Sequence, residues 1–213
     1  MANGEPIRVD KTVLVLLAAG MSQRFGETAK LHEDFLNRPL GIHVAVALQK
    51  MPFLERVAIV DAQPLPYGEL GYRVIENRAP QQGMASSLHL GVAHAKECGA
   101  DAVLIALADM PRVTAAHVYR LFDATEGTGL GAVVASSDGH APKPPALFGR
   151  DRFDFLLALE GVTGARDLVR AGRHVVTSPA ELIDVDTPAD LERLRGLVKS
   201  HEAVARAQGR VTG

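Results

Sequence analysis

The sequence predicts a three-layer α/β/α domain built on a mostly parallel sheet. Short apolar runs rich in β-branched residues alternate with helix-period stripes, and two of those runs break straight into a glycine loop or an acidic turn. Strands are expected over 12–19, 56–61, 72–75, 102–108, 132–135, 174–177 and 182–185. Between them Leu40, Val44 and Leu48 recur four apart, as do Met84, Leu88 and Val92, so each helix has an apolar stripe to lay on the sheet. The run Ala102-Val103-Leu104-Ile105-Ala106-Leu107-Ala108 shows no polar alternation, the mark of a strand buried on both faces. In open sheets of this class ligands bind beyond the carboxyl ends of the strands, where Gly20 and Asp109 fall.

With 213 residues, 47% of them hydrophobic, the chain supports one substantial core, and a single domain is expected over 1–199 with a polar tail over 200–213. A net charge of -2, from 23 basic and 25 acidic residues, gives no general attraction to nucleic acid or to a membrane, so any positive field must be local. The first apolar run is far shorter than the roughly 20 residues that cross a bilayer, and no targeting pattern precedes it. A cytoplasmic protein is the expectation. The single cysteine, Cys98, cannot close an internal disulfide and reads as packing near a helix end. His89 and His94 are five apart rather than three or four, and the histidines read as structural.

The loop after the first strand carries the chemistry. Gly20 and Gly26 permit unusual backbone angles, small residues let main-chain N–H groups approach an anion, and Arg24 and Lys30 bring positive charge. This pattern suits a nucleoside triphosphate. It is neither a Walker A loop, because five residues separate Gly20 from Gly26 and Lys30 precedes Leu31, nor the G-x-G-x-x-G dinucleotide fingerprint.

Asp109 closes the central apolar strand and precedes Met110-Pro111, so its carboxylate is left at the sheet edge, as a ligand for Mg²⁺ or as the closing group of an Asx turn. Asp184 and Asp186 flank Val185 in an extended run, which points both carboxylates one way and Val185 the other. The residues that follow need no function to explain them, since Thr187, Pro188 and Asp190 are helix-start grammar at N-cap, N1 and N3. Gln82-Gly83-Met84-Ala85-Ser86-Ser87 opens a helix with a glycine and two hydroxyls, Ser86 being the candidate cap.

Leu-Ala-Ala-Gly-x-Ser-x-Arg-Phe-Gly-x-x-x-Lys at 17–30 resembles the N-terminal motif of the MobA-like molybdenum cofactor nucleotidyltransferases. Further blocks follow in that family's order: Gln82-Gly83-Met84-Ala85-Ser86-Ser87-Leu88, Leu107-Ala108-Asp109-Met110-Pro111, Pro145-Ala146-Leu147-Phe148, Gly164-Ala165-Arg166 and the acidic run over 184–191. Ala18-Ala19-Gly20 is similar to the cytidylyltransferase branch, which transfers CMP from CTP to molybdopterin.

The resemblance implies a Rossmann-like nucleotide-diphospho-sugar transferase fold. It implies nucleotide contacts from Ala18, Ala19, Gly20, Ser22, Arg24, Lys30, Gly83, Ser86 and Ser87, and catalytic roles for Arg24, Lys30 and Asp109. Mg²⁺ would sit on Asp109 and Asp186, with Asp184 as support. The implied partners are CTP or another NTP, a phosphorylated acceptor such as molybdopterin, and a molybdoenzyme or cofactor chaperone that receives the product; nucleic acid and membrane are not among them. Lys143-Pro144-Pro145 departs from the family's Gly-His/Asn-Pro, which leaves the acceptor open between molybdopterin and another phosphorylated molecule such as a sugar phosphate. Guanylyl transfer and a non-catalytic nucleotide- or cofactor-binding module on the same fold are the alternatives.

Overall fold

The computed structural model describes residues 4–19, 30–159 and 163–209. Its strands are β1 (Thr12–Ala18), β2 (Asp34–Phe35), β3 (Arg38–Pro39), β4 (Glu55–Val60), β5 (Arg73–Glu76), β6 (Ala102–Leu107), β7 (Val133–Ser137), β8 (Pro142–Gly149) and β9 (Arg173–Val176). The α-helices are α1 (Ile42–Leu48), α2 (Met84–Glu97), α3 (Ala115–Asp123), α4 (Phe153–Leu157), α5 (Thr163–Ala171) and α6 (Pro188–Gly209).

Seven strands form one sheet in the order β5-β4-β1-β6-β8-β7-β9, and β2 pairs with β3 in a separate small hairpin. Every pairing in the large sheet is parallel except the two made by β8, which runs antiparallel to both β6 and β7. The expected mostly parallel three-layer architecture is therefore present.

Side-chain alternation along β1 divides the interior in two. Leu14 and Leu16 join the core beneath α1 and α3, whereas Val13, Val15 and Leu17 join the core beneath α2, α4 and α5. All seven residues of β1 are buried, as a central parallel strand requires. Helix α2 lies so close that a Cβ built on Gly91 would fall 2.4 Å from Val15 Cγ1. Of the stripe at 84, 88 and 92, Leu88 and Val92 are buried, but Met84, the first residue of α2, projects outward.

Two differences from the sequence reading have physical causes. First, β8 lies inside the sheet despite its prolines. A register shift between Ala135 and Ser136 takes the pairing from Ala135↔Ala146 to Ser136↔Lys143, so Pro144 and Pro145 occupy a bulge and owe the ladder no N–H. Ser136 donates to the Pro145 carbonyl and is itself bonded to the buried His117 ring, which fastens the bulge from beneath.

Second, 182–185 is not a strand. Leu182 ends a 3₁₀ turn and enters the core under α1 and α3, while Val185 enters a satellite core with Phe35, Leu40, Leu191 and Leu194. The segment thus crosses from one core to another, and its link to the sheet edge is the bond from Val185 N–H to the Asp109 carbonyl at 3.1 Å. The tail expected from Ser200 continues α6 as far as Gly209. Among the described residues no helix is long and apolar enough to cross a membrane.

Candidate active site

Strand ends and one crossing segment bring three carboxylates and a lysine together. Ala108 N–H donates to the Leu17 carbonyl, which holds the exits of β1 and β6 side by side and leaves Asp109 beyond the edge. Lys30 opens the 3₁₀ turn Lys30–His32, and its Nζ donates to Asp109 Oδ2 at 2.7 Å and to Asp186 Oδ1 at 3.3 Å. One carboxylate oxygen from each of Asp109, Asp184 and Asp186 lies within 4.8 Å of the other two.

The backbone explains why both outer carboxylates arrive. Val185 is anchored in the satellite core, so its neighbours on either side project the opposite way, toward Asp109. Beyond them Thr187 and Asp190 form a reciprocal capping box: Thr187 Oγ1 accepts from Asp190 N–H, and Asp190 Oδ2 accepts from Thr187 N–H. That box starts α6 and fixes the exit angle of the acidic segment. Sequence reasoning selects Asp186 and leaves Asp184 in support; the structure brings both into the cluster.

Electrostatics mark Asp184 as the most perturbed member. Protein crowds its carboxyl even though part of the residue meets solvent, and this desolvation, followed by the charges of Asp109 and Asp186, pushes its pKa up to about 7 against the pull of Lys30. For Lys30 desolvation works to lower the pKa, but attraction to Asp109 and the bond to it, reinforced by Asp184 and Asp186, raise it overall. Lys30 therefore stays charged. The Asx-turn alternative for Asp109 finds no support, because its Oδ2 accepts from Lys30 and its Oδ1 is buried without a hydrogen-bond donor among the described residues.

The start of α2 carries the other residues expected to contact nucleotide. Gly83 takes φ 83° and ψ -173°, a backbone region open essentially to glycine alone, and a Cβ there would meet nothing within 4 Å. The space beside it is open. Ser86 does not cap the helix; its hydroxyl donates back to the Gly83 carbonyl at 2.8 Å and accepts from Asn77 Nδ2. Ser87 is buried, and its hydroxyl accepts from the same Asn77 amide at 2.9 Å.

Asn77 is the residue sequence reasoning missed. It follows β5, bonds to the Val60 carbonyl through its N–H and to Ala79 N–H through its Oδ1, and so ties two strand ends to the head of α2. No local pattern marks it, since it follows the charged Glu76 at the end of β5. Lys143, the departure from the family motif, is ion-paired with Asp138 at 2.7 Å beside the β8 bulge. Ala18 and Ala19 stand at the end of β1, whereas Gly20, Ser22 and Arg24 lie outside the described residues.

Residues 14–177 match the family described as the MobA-like NTP transferase domain. The chain belongs to this family, and its activity class is nucleotidyl transfer.

Among curated relatives, the purine catabolism protein PucB of Bacillus subtilis (strain 168) is 27% identical over 202 residues, covering 85% of this chain and 94% of that protein. A phosphoenolpyruvate guanylyltransferase of Sphaerobacter thermophilus is 30% identical over 164 residues, 72% of this chain and 76% of its own length. A probable molybdenum cofactor guanylyltransferase of Pyrococcus horikoshii is 29% identical over 147 residues, 66% of this chain and 71% of that one. Among solved structures, Rv0371c of Mycobacterium tuberculosis H37Rv superposes with a TM-score of 0.67 at 26% identity, covering 87% of this chain and 98% of that chain. Rv0371c has also been solved in complex with manganese.

Proposed function

We propose that this enzyme transfers CMP from CTP to molybdopterin with release of pyrophosphate. The observation that carries nucleotidyl transfer is the Lys30 ammonium held against Asp109 and Asp186 at the carboxyl edge of the sheet, with Asp184 alongside. Support for CTP comes from Ala18-Ala19-Gly20, which is similar to the cytidylyl branch.

The donor set fits a hard divalent cation: three carboxylates converge, and Asp109 Oδ1 is buried with no donor among the described residues. Asp109 and Asp186 would hold Mg²⁺, whose contribution when bound is to polarise phosphate oxygens and offset their charge. A solved neighbour's complex with manganese is in keeping with that ion class.

The chain's own residues supply alignment and charge. A phosphate oxygen of the acceptor forms a new bond to the α-phosphorus as the bond to the bridging oxygen breaks, and the electron pair departs with pyrophosphate. Lys30 and Arg24 would offset the charge that grows there, and preorganised donors of this kind are worth about 3 to 4 kcal/mol each in a transition state. Gly20 and its neighbouring amides hold the triphosphate. Gly83 leaves room for base and ribose, Ser86 offers its hydroxyl, and Ser87 keeps Asn77 and the head of α2 in place.

A second reading is guanylyl transfer, favoured by the relatives named as guanylyltransferases. Pyrophosphate release measured with CTP and GTP, each against molybdopterin and a panel of phosphorylated acceptors, separates the readings. Turnover with CTP and molybdopterin at rates above every other pair is expected. Preference for GTP, or for another acceptor, overturns the specific assignment, and nucleotide binding without turnover on any pair leaves a binding module.

A further inference from the structure

At the opposite end of the sheet, three donors of different chemistry converge. Glu55 is the first residue of β4, and His94 and Cys98 stand one helical turn apart where α2 ends. His94 Nε2 lies 2.8 Å from Glu55 Oε2, Cys98 Sγ lies 3.3 Å from the same oxygen, and Sγ and Nε2 are 3.4 Å apart. All three residues are partly accessible to solvent.

We propose that Glu55, His94 and Cys98 form a second metal site, for a borderline-soft divalent ion such as Zn²⁺, separate from the carboxylate cluster. A tetrahedral ion with bonds of about 2.0 Å to nitrogen and oxygen and about 2.3 Å to sulfur sets its donors roughly 3.3 to 3.6 Å apart. The two sulfur distances already fall within that range, and the His94–Glu55 pair needs to open by about 0.5 Å. Three protein donors and solvent access leave the fourth position to water.

The donor set excludes the ion assigned to the carboxylates, because thiolate and imidazole favour zinc-like metals whereas Mg²⁺ keeps to oxygen. Glu55 is oriented in advance, since Arg73 Nε donates to its other oxygen, Oε1, at 2.5 Å. Binding displaces the Cys98 thiol proton to solvent and leaves the imidazole proton on Nδ1, so that Nε2 can ligate. The bound ion fastens the start of β4 to the end of α2, the helix whose head carries Gly83 and Ser86. Glu55 pairs in register with Val13 at the start of β1, so a strand length, on the order of 20 Å, separates this site from Asp109.

Cys98 is the chain's single cysteine, which makes a thiolate-to-cobalt charge-transfer band diagnostic of this site alone. The full-length, metal-free protein is titrated with Co²⁺, followed by competition with Zn²⁺. The expected result is a saturable band that Zn²⁺ abolishes, that Cys98→Ser removes, that His94→Ala weakens at least tenfold in affinity, and that Asp109→Asn leaves unchanged. Absence of the band in folded wild-type protein overturns the proposal and makes the cluster a hydrogen-bonded clamp. A band whose affinity in both His94→Ala and Glu55→Gln equals that of wild type overturns it too.

Discussion

Lys30 Nζ sits 2.7 Å from Asp109 Oδ2, joining residues 79 positions apart in the chain. The ammonium is largely enclosed, with 12% of the side chain exposed, and it also reaches Asp186. Under the proposed mechanism, in which main-chain donors and Arg24 share nucleotide capture, a cation so placed acts on charge that moves during reaction more than on capture. Lys30→Met keeps a flexible apolar stem, so kcat should fall by roughly 10²-fold or more while the CTP dissociation constant changes much less. Calorimetry and single-turnover rates on one preparation check this. Collapse of affinity with the rate at saturating CTP preserved would make Lys30 a ground-state anchor.

Asp109 should be indispensable to turnover and dispensable to the fold. Asp109→Asn keeps the side chain's size and removes the charge, so the fold is expected to persist while divalent-metal-dependent activity is lost. Circular dichroism and pyrophosphate release at saturating Mg²⁺ test the pair of statements. Activity within about threefold of wild type would exclude Asp109 from the mechanism, since even one preorganised electrostatic group is commonly worth 10²-fold.

The Asp184 carboxyl, raised to about 7 from the ordinary 3.8, ties stability to pH. Because the folded state holds this proton more tightly than the unfolded chain, ionisation penalises the fold; the penalty is absent below about pH 4, grows between about 4 and 7, and is complete above. Metal-free Asp184→Asn should therefore melt above wild type at about pH 8 and no higher than wild type at about pH 4. Thermal midpoints across that range decide it, and an advantage that does not vary with pH would be inconsistent with the desolvation and charge repulsion described.

Gly91 is required by contact with Val15. A methyl there meets Val15 Cγ1 at 2.4 Å, and the β-branched side chain has no free rotamer to yield, buried as it is in β1. Overpacking of about 1 to 3 kcal/mol should outweigh the helix-propensity gain of up to about 1 kcal/mol from Gly→Ala. In a Val15→Ala background the same substitution should cost much less. A double-mutant cycle by urea denaturation reads the coupling, and additive effects would rule out the contact as the cause.

The sheet and the acidic edge were legible in the sequence because both rest on local signals. Continuous apolar runs such as 102–108 declare burial whatever surrounds them, and Thr187, Pro188 and Asp190 start a helix through contacts three residues apart. Family-ordered motifs singled out Lys30, Asp109 and Asp186, whose side chains the structure brings together. Tertiary structure alone decided the rest. Prolines hid β8 until the register shift opposite Ala135 and Ser136 showed where they fit. Asp184 entered the cluster because Leu182 and Val185 are buried in different cores, a fact about distant partners. Asn77 gained its role from two serines on another element, and Glu55 met His94 and Cys98 across 39 and 43 residues of chain. A side chain's neighbours along the chain fix its propensity, but its charge environment and ligand geometry depend on groups that only packing brings within a few ångströms.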